Sequence, residues 1–114
     1  MPSKNPVQRL HDILDNIAAI REFTRGMDID KFLSSRQTTY AVTRALEIIS
    51  EASRRLPEEL KARHPNLDWP AIAAAGNVYR HEYETVDEAL LWQTVQHSLG
   101  ALEAAIHIEL NRQS

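Results

Sequence analysis

Residues 76–83 read GNVYRHEY, and several of these side chains could do chemistry together. On a helix, where successive residues turn by about 100°, Asn77 and His81 lie roughly 40° apart on one face. Gly76 and Arg80 make a second such pair on the adjacent strip. Helical side chains lean toward the N-terminus, so Arg80 folds back over position 76, where glycine leaves room. An imidazole exchanges protons near neutral pH, and a guanidinium binds phosphate with its planar fork. RNA cleavage by internal attack needs both. One group moves protons at the 2′-hydroxyl or the leaving oxygen, and the other stabilises the charged phosphorane-like state. The same residues also suit a polar helix end, where cations oppose the negative pole of the helix. Spacing alone does not choose between the two readings.

The elements that must hold this stretch are helical. Asn5-Pro6 with Gln8 reads as a helix start, Gln8 reaching back to the cap residue. Val7, Leu10, Ile13, Leu14, Ile17 and Ile20 then recur at three- and four-residue spacing, and Gly26 ends the helix. A short turn over Asp28 to Leu33 leads to Ser35, the cap of a second long helix. Its apolar positions are Ala41, Ala45, Ile48, Ala52 and Leu56, with Val42, Leu46 and Ile49 beside them, until Pro57 breaks it. Pro57 to Arg63 makes one or two turns. Asp68 caps a third main helix that carries the opening stretch, with Trp69, Ile72, Tyr79 and Tyr83 on its apolar side. Thr85-Val86-Asp87-Glu88 reads as a capping box. Leu91, Val95, Leu99, Leu102, Ile106 and Leu110 form the stripe of a fourth, of about 26 residues and ~39 Å at 1.5 Å per residue. The expected fold is all-α, an up-and-down bundle of four main helices plus short helical turns. The final helix is longer than such a bundle needs. Its end and the first-helix stripe are natural material for a homodimer interface, or the end simply frays.

Composition narrows the classes. The 114 residues suit one domain spanning 1–114, with 43% hydrophobic and 25% charged residues, three glycines and five prolines. The chain has no cysteine, which excludes disulfides, thiolate chemistry and sulfur-ligated zinc. No apolar run approaches the roughly 20 residues of a membrane span, and the N-terminus lacks an apolar signal core, so a cytoplasmic protein without a membrane contact is expected. The formal charge of −3 argues against a general coat for nucleic acid, whose affinity comes largely from neutralised phosphates. Any RNA contact is local.

Three longer blocks resemble the HepT-like ribonuclease toxins of the HEPN superfamily of helical domains. FTRGMDIDKFLSSRQTTYAV is similar to the family's first loop and entry to its second long helix. RALEIISEASRRLP is similar to the segment that usually reads L-x-I-I-G-E-A, with Ser50 in place of the glycine. HPNLDWPAIAAAGNVYRHEYETVDEALLW resembles the histidine-proline, tryptophan, R-N-x-x-x-H-x-Y and valine-aspartate series. The resemblance implies metal-independent cleavage of RNA, without a cofactor, in a cleft formed across a homodimer. Asn77 and His81 match the motif asparagine and histidine. Tyr83 matches the tyrosine on which an MNT-type nucleotidyltransferase antitoxin places AMP, so the resemblance implies AMPylation there. The family's arginine is missing: Gly76 occupies its position and Arg80 precedes His81. Either the guanidinium has moved one turn along the strip, with Arg36 and Arg44 as other donors, or the cation is lost and the chain is a weak or inactive binding module that still pairs with its nucleotidyltransferase.

Other features are weaker. Glu51, beside Ile48 and Ala52, is expected to be a buried acid orienting Arg80 or His81. Arg54, Arg55, Lys61 and Arg63, interspersed with Glu58 and Glu59, read as a solvated face before one that guides RNA or meets an acidic antitoxin surface. Glu103 and His107 are four apart, and no Glu-x-x-His pair of the di-metal bundles occurs, so no metal site is expected. His11, His64 and His97 are isolated.

Overall fold

A computed structural model describes residues 5–81 and 88–113, with the side chains of 76–81 excepted. Among these residues there are seven helices and no strand: α1 (Val7–Phe23), α2 (Ile29–Ser34), α3 (Arg36–Arg54), α4 (Glu58–Ala62), α5 (Trp69–His81), α6 (Glu88–His97) and α7 (Leu99–Gln113). No helix among them is long and apolar enough to cross a membrane.

Side-chain caps start the helices where the residue types demand. Asn5 Oδ1 accepts the Val7 amide at 3.1 Å ahead of α1, Ser35 Oγ accepts the Thr38 amide at 3.2 Å, and Asp68 Oδ1 accepts the Ala71 amide at 3.1 Å. Gln8 does not reach back as expected. Its amide instead donates to Asp12 Oδ1, one turn on, at 2.9 Å. The turn expected over Asp28 to Leu33 is the helix α2, because Asp28 Oδ1 caps the Lys31 amide at 2.8 Å. Gly26, at φ +72°, makes the left-handed turn between α1 and α2 that a side chain would resist.

Leu10, Ile13, Ile17 and Ile20 are fully buried, with α1 packed between α3 and α7. This corrects one expectation: the first-helix stripe is consumed by the chain's own core and cannot also form a dimer face. Phe32 anchors α2 in that core, its ring 5.0 Å from that of Trp92 on α6. The long final helix is also corrected. It is interrupted at Ser98, where Ser98 and Gly100 offer poor helical support, leaving α6 and α7 as separate segments. Of the expected capping box, residues 85–87 lie outside the described residues and Glu88 opens α6.

The end of the bundle away from Gly26 is closed by a buried ion cluster. Glu109 on α7 is 0% exposed. Arg63 donates to it at 2.6 and 3.2 Å, and His64 Nε2 lies 2.7 Å from its Oε2. The Arg63 hydrogen bonds hold the Glu109 carboxyl below the usual carboxylate range, against the opposing push of burial and with help from His64. Trp69 adds a strap across the loop by donating its indole N–H to the Lys61 and His64 carbonyls at 3.0 and 3.2 Å. Taking the carboxylate away strands the buried His64, while the half-exposed Arg63 can turn to water. Glu109→Gln is therefore expected to cost about 2–3 kcal/mol, below the 3–5 typical of a wholly buried pair. Because the folded pKa is depressed, the contribution is complete above the unfolded value near 4.3 and lost as pH falls through the folded one. Urea unfolding should show wild type and variant converging below about pH 4.

Candidate active site

α5 carries the candidate site, and α3 positions it. Among the described residues these two helices pack against each other more extensively than any other pair. Two side chains from the C-terminal half of α3 reach main-chain carbonyls of α5. Ser50 Oγ donates to the Ile72 carbonyl at 2.8 Å, and the Arg54 guanidinium donates to the Ala73 carbonyl. Since the start of α5 meets the end of α3, the remainder of α5 runs back along α3, antiparallel to it. The serine that replaces the usual glycine therefore has a definite task. It is small enough to be buried at the helix crossing, and its hydroxyl ties the two helices together.

The helical backbone of α5 continues through His81. Asn77 and His81 consequently follow Ala73 at successive four-residue steps, on one strip, while Gly76 and Arg80 follow Ile72 on the next. Tyr83 lies outside the described residues, and of the Asn77, Arg80 and His81 side chains only the positions on α5 are described. At 1.5 Å per residue His81 stands ~12 Å beyond Ala73, which sets it level with about residue 44 on α3. Arg44, exposed, is at that height on the flank of α3. Arg36 stands a further ~12 Å along, its Nε donating to Tyr40 Oη at 3.2 Å and its guanidinium 5.5 Å from the Tyr40 ring centre.

Glu51 is not the buried acid that was expected. It lies about 160° around α3 from Ile49, nearly opposite the core face, and its side chain is 49% exposed. It receives Arg54 at 2.6 Å and Arg55 at 2.9 Å, and those two hydrogen bonds lower its pKa, Arg54 contributing most. Ile48, one turn before Ala52 and adjacent to this face, is itself only half-buried. Glu51 instead holds the guanidinium that contacts Ala73. Ser50 and Arg54, which meet α5, lie on a polar line along α3 with Arg36, Tyr40, Thr43 and Glu47, spaced by fours and threes. Its signal was available in that spacing. Half-buried Glu47 is the acid on this line, one turn before Ser50.

The basic cluster after α3 is locally neutralised. Arg54 and Arg55 share Glu51, Lys61 lies 3.4 Å from Glu58, and Arg63 is bound to Glu109. The solvated-face reading is the one these pairs favour.

A bundle of helices in which an asparagine, an arginine and a histidine occupy the last turns of one member, braced by its neighbour, has the frame of a HEPN-like domain. Comparison with known proteins makes this specific. The family model described as Ribonuclease HepT-like matches residues 13–108. A Thermococcus cleftensis protein named "Probable ribonuclease HepT" is 40% identical over 94 residues, which cover 82% of this chain and 86% of that one. A Methanocaldococcus jannaschii protein carrying an RNase name is 34% identical over 99 residues, covering 87% of this chain and 91% of its own. A third, from Caldanaerobacter subterraneus and also carrying an RNase name, is 31% identical over 103 residues and is covered to 92%. No solved structure gave a significant match. The chain belongs to the HepT-like ribonuclease family.

Proposed function

We propose that this chain is the toxin of a HEPN/MNT-type toxin–antitoxin pair, an endoribonuclease that works without metal and is silenced by AMPylation of Tyr83. The observation that supports this most is the register of α5: Asn77, Arg80 and His81 fall on adjacent strips of a helix that is hydrogen-bonded to its neighbour two turns earlier. Membership of a ribonuclease family supports the activity.

In the proposed reaction His81 is the general acid/base. It moves the proton of the 2′-hydroxyl as the 2′-oxygen bonds to phosphorus, or gives one to the 5′-oxygen as the old P–O bond breaks. The products are a 2′,3′-cyclic phosphate and a free 5′-hydroxyl. Asn77, one turn before His81, orients the imidazole or the substrate. Arg80 supplies positive charge to the phosphorane-like state from the strip that Gly76 leaves open, and among the other donors Arg44 is better placed by height than Arg36. All of this takes place in a homodimer in the cytoplasm, the surface for which is not the α1 stripe.

Regulation follows from charge. A nucleotidyltransferase antitoxin would join the Tyr83 oxygen to the α-phosphorus of ATP, with pyrophosphate leaving. Tyr83 is two residues beyond His81, so the added phosphate and adenosine repel and obstruct a phosphodiester approaching that imidazole. Expression without the antitoxin is expected to arrest growth, and His81→Ala to relieve the arrest. Tyr83→Phe should lose incorporation of labelled AMP when the antitoxin is supplied. A growth arrest that survives His81→Ala, or label retained by Tyr83→Phe, contradicts the respective part.

One observation favours a second reading. With Gly76 at the motif arginine's position, a chain that retains the bundle and its partner surface but not turnover is a binding module for the nucleotidyltransferase. It would form the complex and neither arrest growth nor cut RNA.

A further inference from the structure

We propose that Ser50 and Arg54 are positioning residues for the reaction, setting the rotation of α5 and so the aim of Asn77 and His81. The proposal rests on the nuclease reading above and deepens it.

Both acceptors are main-chain carbonyls of the helix that carries the site. Ile72 and Ala73 lie inside α5, where a carbonyl already accepts the amide four residues on. For these two carbonyls the amides belong to Gly76 and Asn77. Neither oxygen needs a second donor; the Ser50 contact gives that buried hydroxyl an acceptor, and together the two contacts tie α5 to α3 at a set height. Neighbouring helical carbonyls point about 100° apart around the axis. Fixing one still permits some rolling, whereas fixing both from the same neighbouring helix defines rotation and height together.

The donors are themselves held. Ser50 is 1% exposed, and its short side chain has little freedom. Arg54 bridges two acceptors, the Ala73 carbonyl and Glu51 Oε2, and Glu51 is in turn held by Arg55 at 2.9 Å. Exposed ion pairs of this kind contribute little to stability. What this one adds is a fixed direction for the guanidinium. A roll of roughly 20° would move a side-chain tip at the ~6 Å helix radius by about 2 Å. Misplacement by as little as about 1 Å can cost a hundredfold in rate.

The test uses the purified full-length chain and a single-stranded oligoribonucleotide bearing a fluorophore and a quencher. Ser50→Ala and Arg54→Ala are each expected to lower kcat by about tenfold or more with KM within about threefold. The double variant should be little worse than the weaker single one, because both contacts define the same placement. Arg54→Lys, which can still donate to the carbonyl, should recover most of the loss. Arg55→Ala removes equal charge but leaves the donor to the Ala73 carbonyl in place, so its loss of kcat should be clearly smaller than that of Arg54→Ala. If Arg54 only attracted RNA, Arg54→Ala and Arg55→Ala would both raise KM and leave kcat alone, which overturns the proposal. Ser50→Ala carries no change in charge and minimal change in size, so it stays informative if Arg54→Ala folds poorly. Proton spectra of the His81 ring add a readout separate from turnover, with both alanine variants expected to shift its resonances while melting temperatures stay within a few degrees. Undiminished kcat in both variants of an active enzyme, with unmoved His81 resonances, overturns positioning alone. A wild-type protein that cuts no RNA overturns the nuclease reading instead, and with it the catalytic purpose of these contacts.

Discussion

His81→Ala is expected to slow cleavage of single-stranded RNA by roughly 10²- to 10⁴-fold, the range over which a positioned acid or base usually acts. The size of the effect follows from what else α5 offers. Asn77 cannot exchange a proton near neutral pH, and Arg80 stays protonated at any working pH. Among the described residues of α5 no second titrating group shares the strip on which His81 lies. Binding should change far less than rate, because an imidazole that is neutral for part of the cycle adds little to phosphate affinity. The rate should depend on pH through the protonation of the imidazole, and His81→Ala should remove that dependence. A variant retaining full rate and an unchanged pH profile would place the proton transfer elsewhere.

Arg80→Ala is the second large effect, expected at about 10²- to 10³-fold, comparable with removing one preorganised donor to a developing anion. Arg80 follows Gly76 by one turn on the same strip of α5, and helical side chains in general lean toward the N-terminus. If Arg80 does the work of the missing motif arginine, Gly76→Arg should rescue Arg80→Ala. The same change in the wild-type background should add little, since one cation already occupies the strip. Residue 76 lies within α5, and replacing an interior helical glycine typically adds about 0.5–1 kcal/mol of stability, so folding should not obscure the result. Arg80→Ala with unaltered cleavage would rule out the relocation and leave Arg44, level with His81, as the donor to test next.

Much of this scaffold was legible because its signals are local. Asn5, Ser35 and Asp68 are side chains that cap amides two or three residues away, and the apolar positions of α1 and α3 repeat at helical spacing. What was not legible depends on contacts far apart in sequence. Glu109 sits on the buried face of α7 between Ile106 and Leu110, a place where a carboxylate needs a partner, but Arg63 and His64 are 46 and 45 residues away. The hydroxyl of Ser50 is explained only by the Ile72 carbonyl, 22 residues on. Glu51 was misplaced because burial was inferred from adjacent residues, whereas on a helix it is decided by angle. The break at Ser98 was hidden by an apolar stripe that keeps its spacing across the interruption. For the site itself, the order of residues identified α5 and the strips on it. The bracing from α3, which no motif encodes, came from the packing.

The most direct measurement is cleavage of a single-stranded RNA by the purified wild-type chain in excess EDTA, beside His81→Ala. The account predicts that wild type still cuts, leaving 2′,3′-cyclic phosphate ends, and that His81→Ala does not. Equal cleavage by the two proteins, or cleavage that vanishes with the chelator and returns with a divalent ion, would contradict it.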